Sequence, residues 1–107
     1  MVAATREREK RLSLHLPVEV SGEDPDGGSV QDTARSLNIS GGGICFEARV
    51  HVPVGSRLTL DIQLPEALRK HFGGRPVYRA QAVVCRSERL DGSLSRVGAR
   101  FLRPVEA

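Results

Sequence analysis

The stretch Leu12-Ser13-Leu14-His15-Leu16-Pro17-Val18-Glu19-Val20 places an apolar residue at every second position, with Ser13, His15, Pro17 and Glu19 between them. That period of two belongs to a strand with one face in a core and the other in water. Pro17 stands on the outward set and has no amide proton to donate, so an edge or a bulge is expected there. Further along, Ser21 to Ser29 reads as a loop, with Pro25, three glycines and three acids. A second strand is expected over Val30 to Leu37. Asn38-Ile39-Ser40-Gly41-Gly42-Gly43 reads as a turn, because each glycine costs backbone entropy and packs nothing. Ile44, Phe46 and Ala48 alternate with Cys45 and Glu47 as a third strand, and Leu58 to Leu64 alternates as a fourth after the turn Pro53-Val54-Gly55-Ser56. Pro65 to Phe72 suits at most one or two helical turns, opened by proline and closed by Gly73-Gly74. Val77 to Arg86 is a long strand candidate, Asp91-Gly92 a turn, and Val97, Ala99 and Phe101 the inward face of a last strand.

Six short strands with turn signals between them indicate a single all-β domain, either a small barrel or a sandwich. The length of 107 residues suits one core without metal or disulfide staples. The apolar content, 39% before the 11 glycines are added, is that of a globular chain. No uninterrupted apolar run exceeds four residues (Met1 to Ala4, Ala82 to Cys85), so no helical membrane span and no signal peptide is indicated, and a cytoplasmic location is expected. Cys45 and Cys85 lack a CxxC partner and read as small core residues.

The net charge of +3 is mild, but 14 of the 16 basic residues are arginine. Arginine grips phosphate with a planar fork and stacks on flat rings, although a GC-rich coding sequence gives the same bias. Residues 75–107 hold seven arginines against three acids, and residues 1–11 hold four basic residues against two acids. Positive potential at both ends makes an anionic partner plausible.

Catalytic groups are wanting, and no enzyme is indicated. His15, His51 and His71 show no metal-ligand spacing. Ser40 lacks the first glycine of a GxSxG elbow. Asp24 and Asp26 begin like a calcium loop, yet no bidentate glutamate follows at the needed distance. The glycine turn admits two readings. Asn38, Ser40 and Gly43 could converge with bare backbone amides on one ligand patch, or Asn38 and Ser40 could cap local backbone groups in a β-turn. Arg6-Glu7-Arg8-Glu9-Lys10-Arg11 likewise reads as a solvated tail or as an arm that closes over an anion.

Leu16-Pro17-Val18 behind a basic arm, Leu37-Asn38-Ile39-Ser40-Gly41-Gly42-Gly43-Ile44, Val54-Gly55-Ser56, Leu64-Pro65 and Val97-Gly98-Ala99-Arg100-Phe101 together resemble the PilZ domain family, over nearly the whole chain. The resemblance implies a six-stranded antiparallel β-barrel over residues 12–103, with a flexible arm at 1–11 and a tail at 104–107. It also implies a receptor for the second messenger cyclic di-GMP. Such domains hold the nucleotide between an RxxxR motif on the arm and a (D/N)xSxxG motif. The second motif falls on Asn38, Ser40 and Gly43. For the first, the usual distance to Leu16-Pro17 puts Arg11 in the second arginine's place and Glu7 in the first, flanked by Arg6 and Arg8. Arg6 and Lys10 offer the alternative RxxxK spacing. The site residues implied are therefore Arg6, Arg8, Lys10, Arg11, Asn38, Ser40 and Gly43, with no metal or cofactor, and the partner beyond the nucleotide is an effector protein. Two other readings stand beside this one. Glu7 in the arginine motif suits a barrel that binds no nucleotide and acts through protein contacts alone. The arginines near the carboxyl end suggest a general nucleic-acid-binding barrel, which one Tyr, three Phe and no Trp disfavour.

Overall fold

In a computed structural model that describes residues 13–104, six strands close into an antiparallel barrel. They are β1 (Pro17–Glu23), β2 (Ser29–Ile39), β3 (Gly43–Ala48), β4 (Arg57–Gln63), β5 (Val77–Arg89) and β6 (Ser95–Pro104). The order around the barrel is β1-β2-β3-β6-β5-β4, with β4 returning to β1, so no strand is left as an edge. The barrel is the architecture expected from the family resemblance, and the sandwich alternative falls. The arm, Arg6, Arg8, Lys10 and Arg11 included, and residues 105–107 lie outside the described residues.

Alternation explains the interior. Val18, Val20, Phe46, Leu60, Ile62, Val84 and Val97 are all within 2% of complete burial and meet in one core. The largest of them, Phe46, pairs with Val97 on β6 and with Ser36 on β2. Leu68 and Phe72 cap one end from α1 (Glu66–Arg69) and a single 3-10 turn (Lys70–Phe72), which Gly73 ends in the left-handed region at φ 81°. The expected helical turn between 65 and 72 is thus present. Among the described residues no helix is long and apolar enough to cross a membrane.

Several boundaries differ from the sequence expectation: β1 runs on through Glu23 into the expected Ser21–Ser29 loop, β5 runs on from Arg86 to Arg89, and two further differences bear on the site. Pairing of β1 starts at Pro17 rather than Leu12, and β4 joins it only from Val18, so the missing Pro17 amide breaks no rung with β4. Residues 14–16 are held another way. The buried Ser36 hydroxyl donates to the Leu14 carbonyl and accepts from the Leu16 amide at 2.8 Å, while Leu14 N donates to Leu37 O at 3.2 Å. The second difference is that β2 runs on through Asn38 and Ile39, so the turn shrinks to Ser40–Gly42. In the β1–β2 loop the Asp24 carboxylate accepts from the amides of Asp26 and Gly28, at 2.9 and 2.8 Å, a local turn rather than the start of a cation loop.

Ser36→Ala would leave the Leu14 carbonyl and the Leu16 amide without that hydroxyl. A loss of about 1–3 kcal/mol of stability is expected, read as a lower urea midpoint at unchanged slope.

Candidate functional site

Two β-bulges decide which side chains reach the outer face between β2 and β5. On β2, Ala34 and Ser36 face the core, so Asn38 would follow them inward. The register shifts between Ser36 and Asn38, and the extra residue, Leu37, reverses the parity. Ile39 then turns inward against Ile44, and Asn38 lies half-buried opposite Cys45 on the outer side. On β5 the same device recurs. Ala80, Ala82 and Val84 face the core, and the register shifts between Val84 and Arg86. Cys85 is the inserted residue, so Arg86 is exposed and pairs with Gly98, while Ser87 takes the inward place beside Val97.

The two bulges align one cross-strand row, Asn38–Cys45–Gly98–Arg86, running over β2, β3, β6 and β5. At about 4.8 Å per strand it spans about 14 Å along the sheet. The next row is Gly43–Arg100–Val83. Around these rows lies an open cleft of about 420 Å³, reached by Ser40, Gly43, Cys45, Cys85, Arg86 and Arg100. Its lining holds two guanidinium groups and no carboxylate. Neither Arg86 nor Arg100 forms an ion pair among the described residues, whereas Arg79 is clasped by Asp61 at 2.6 Å and Arg96 lies 3.8 Å from Glu88. Arg96 stands in the third row with Glu47 on one side and Glu88 on the other, so the positive region ends there. Burial draws the Tyr78 phenol above its usual range; it packs on Phe101, which also lines the cleft, with ring centroids 5.7 Å apart.

Both readings of the glycine turn find something in the geometry. Ser40 is 7% exposed, its amide donates to Gly43 O at 2.9 Å, and its Oγ accepts from Gly42 N at 3.2 Å, as in a local cap. A serine hydroxyl that accepts one bond can also donate one. Gly42 O in turn accepts from Phe101 N at 3.0 Å, which fixes the turn against β6. Gly43 is needed for strand approach itself: a Cβ there would stand 2.6 Å from the carbonyl oxygen of Ala99. Gly98 has another effect. The Arg86 side chain lies across it, with Nε 3.7 Å from where a Cβ would be, so the guanidinium rests along the sheet.

Of the residues singled out in the sequence, Ser40 and Gly43 line the cleft, and Asn38 stands at the end of its central row. Arg86 and Arg100 are additions. The signal for Arg86 was a charged residue on the core parity of Ala80, Ala82 and Val84, which a barrel tolerates only by a bulge. Cys45 and Cys85 require a correction: Cys45 is half-buried and Cys85 exposed, both on the cleft, because Cys45 alternates against Ile44 and Phe46 and Cys85 is the bulge residue. Among the described residues no three of His, Cys, Asp and Glu gather as a metal site would need.

Gly43→Ala is expected to lower stability by about 1–3 kcal/mol, because the methyl must push two strands apart. Gly41→Ala, where nothing stands within 4 Å of the added carbon, should stay within about 0.5 kcal/mol of the parent in the same denaturation experiment.

Comparison with known proteins agrees with this architecture. The chain is similar in structure to the Bacillus subtilis inhibitor of motility (MotI/DgrA), with TM-score 0.65 and 22% identity over 92% of this chain and 43% of that one. It therefore spans less than half the length of that protein. It is also similar to the PilZ domain of YcgR from Escherichia coli, a structure with c-di-GMP, with TM-score 0.57 and 20% identity over 91% of this chain and 78% of that one. At these identities the likeness establishes the fold. No protein with a curated description matches the sequence significantly. The family profile of the PilZ domain matches residues 5–107, and the chain belongs to the PilZ domain family.

Proposed function

We propose that this domain is a receptor for cyclic di-GMP, which it binds without transforming it. The observation that carries the reading is the cleft that gathers Ser40, Gly43 and two guanidinium groups without an ion pair among the described residues, with Asn38 in its central row and no carboxylate among its described lining. A cyclic dinucleotide carries two phosphates and two guanines. Its phosphates suit Arg86 and Arg100, and its guanine edges suit the amide of Asn38 and the hydroxyl of Ser40. The similar YcgR domain, solved with this nucleotide, supports the ligand class.

The arm supplies the other wall. Residues 14–16 are fixed beside Ser36 and Leu37 by the Ser36 hydroxyl and the Leu37 carbonyl. The chain therefore enters the barrel next to the strand end that bears Asn38, and Arg6, Arg8, Lys10 and Arg11 have only a few residues of backbone to cover to reach it. Ordering the six residues 6–11 costs on the order of 6–12 kcal/mol, at about 1–2 kcal/mol each. Three charged hydrogen bonds and one base stack return about 5–12 kcal/mol. The arm thus roughly balances its own ordering, and net affinity comes from Asn38, Ser40, Arg86 and Arg100. Closure of the arm changes the surface offered to an effector protein, which is how occupancy is passed on.

Isothermal titration with cyclic di-GMP tests this. Heat of binding is expected, Asn38→Ala and Ser40→Ala should each weaken affinity about tenfold (about 1.4 kcal/mol), and Arg11→Ala should weaken it more than Lys10→Ala. No heat at tens of micromolar nucleotide rejects the receptor reading and leaves a barrel that acts through protein contacts alone.

A further inference from the structure

Closure of the barrel leaves no strand as an edge along its whole length, yet β5, with 13 residues, outruns β4, with seven. The ladder between them ends at Val83, and Val84 is held by the loop before β4: Gly55 N donates to Val84 O at 2.8 Å and Val84 N to Ser56 O at 3.0 Å. Among the described residues no backbone hydrogen bond is made on that side of β5 beyond Val84, while β6 pairs the other side down to Arg89. The bulge decides which groups are left there. Val84 bonds toward β4, whereas Leu90 N donates to Leu94 O across the hairpin at 2.8 Å. Direction alternates along an antiparallel ladder and the inserted Cys85 exchanges it. Arg86, Glu88 and Leu90 therefore bond toward β6, and the amides and carbonyls of Ser87 and Arg89 point outward from the ladder. Such an edge is a template for another strand.

We propose that this edge takes a second copy of the chain, residues 85–89 of each pairing antiparallel about a two-fold axis at Ser87. The sequence there is its own complement. Turned about Ser87, Arg86 stands opposite the partner's Glu88, and Glu88 opposite the partner's Arg86, all on the outer face. Centring the pair on Arg86 or on Glu88 instead sets like charges face to face. Both side chains are exposed, and Glu88, 3.8 Å from Arg96 in its own barrel, is 67% exposed and keeps a free side. Ser87, at the centre, has its amide and carbonyl free for the same groups of the partner's Ser87. Val84 ends the pairing, since Gly55 and Ser56 already occupy it. Beyond Arg89 each hairpin, with Leu94 36% exposed, meets the turn that carries the partner's Val54, a residue 57% exposed in the single chain. Two of the three exposed large apolar side chains among the described residues thus lie at this junction. Five paired residues make a small interface, so association is weak and sensitive to salt.

Sedimentation equilibrium of the full chain at low ionic strength, up to about 1 mM, tests the pairing. No nucleotide is present, so the outcome does not depend on the receptor reading. The mean mass should rise with concentration toward that of a dimer and fall again in high salt. Glu88→Arg and Arg86→Glu each set like charges opposite one another at both symmetric positions, and each variant alone should stay monomeric. An equimolar mixture of the two should dimerise, because each copy carries the charge the other needs. Amide exchange on the unsubstituted chain reads the register without any variant. Ser87 and Arg89 should exchange quickly in dilute protein and at least tenfold more slowly at the highest concentration, while Glu88, bonded to β6, should not change. A monomer throughout, a single variant that associates like the parent, or a mixture that stays monomeric would each overturn the proposal. So would a dimer in which Ser87 and Arg89 remain fast, which places the contact elsewhere, or protection of both amides in dilute protein, which means that a segment of the same chain covers the edge.

Discussion

A strand in a closed barrel has two faces, and one inserted residue exchanges them for everything that follows. This parity constraint governs the molecule. Asn38 and Arg86 both stand at positions whose simple alternation points into an apolar interior, and burying a lone guanidinium there would cost several kcal/mol. The insertions at Leu37 and Cys85 turn both residues outward and, through the shared register on β3 and β6, bring them into one row. Core and cleft are thus consequences of the same two irregularities. Ile39 and Ser87 take the inward places that Asn38 and Arg86 give up.

The charge pattern follows the same geometry. Two arginines elsewhere on the barrel meet acids across the strands, Arg79 with Asp61 and Arg96 with Glu88. Opposite Arg86 and Arg100 the register places Gly98 and Gly43 instead. Glycine serves differently at these two points: Gly43 lets β3 come close to the Ala99 carbonyl, and Gly98 gives the Arg86 side chain a bare stretch of sheet to lie on. Both leave Arg86 and Arg100 without an ion pair among the described residues. The exposed Cys85 stands beside Arg86 because it is the residue inserted to aim it.

Much of this was legible in the sequence. The alternation of Val18 and Val20, of Ile44, Phe46 and Ala48, and of Leu58 to Ile62 gives the inward faces directly, since a period of two is a property of the extended backbone. The helical turn at Pro65 to Gly73 was legible through its proline and glycine. The glycine motif named Asn38, Ser40 and Gly43. Less legible was anything set by register. Counting apolar residues along β5 does not say that Val84 and Arg86 are separated by a bulge, nor that Arg100 lies opposite Gly43, because those facts depend on which strands pair. The cysteines were misread for that reason: a small apolar residue in a strand is usually core, and only pairing shows Cys85 to be the insertion. The start of β1 was placed five residues early because the Leu12 to Leu16 alternation persists where the Ser36 side chain and two backbone bonds to β2, rather than a regular ladder, hold residues 14–16.

The central claim is that the outer face between the Ser40–Gly42 turn and Arg86 is where cyclic di-GMP sits. A titration of isotopically labelled protein with the nucleotide, followed by amide nuclear magnetic resonance, tests it most directly. The account predicts that the largest shifts fall on Asn38 to Gly43, on Cys85 and Arg86, and on Gly98 to Arg100, with the opposite wall of the barrel, Glu19 and Asp61 included, nearly still. Shifts centred on that opposite wall, or none at saturating nucleotide, would contradict it.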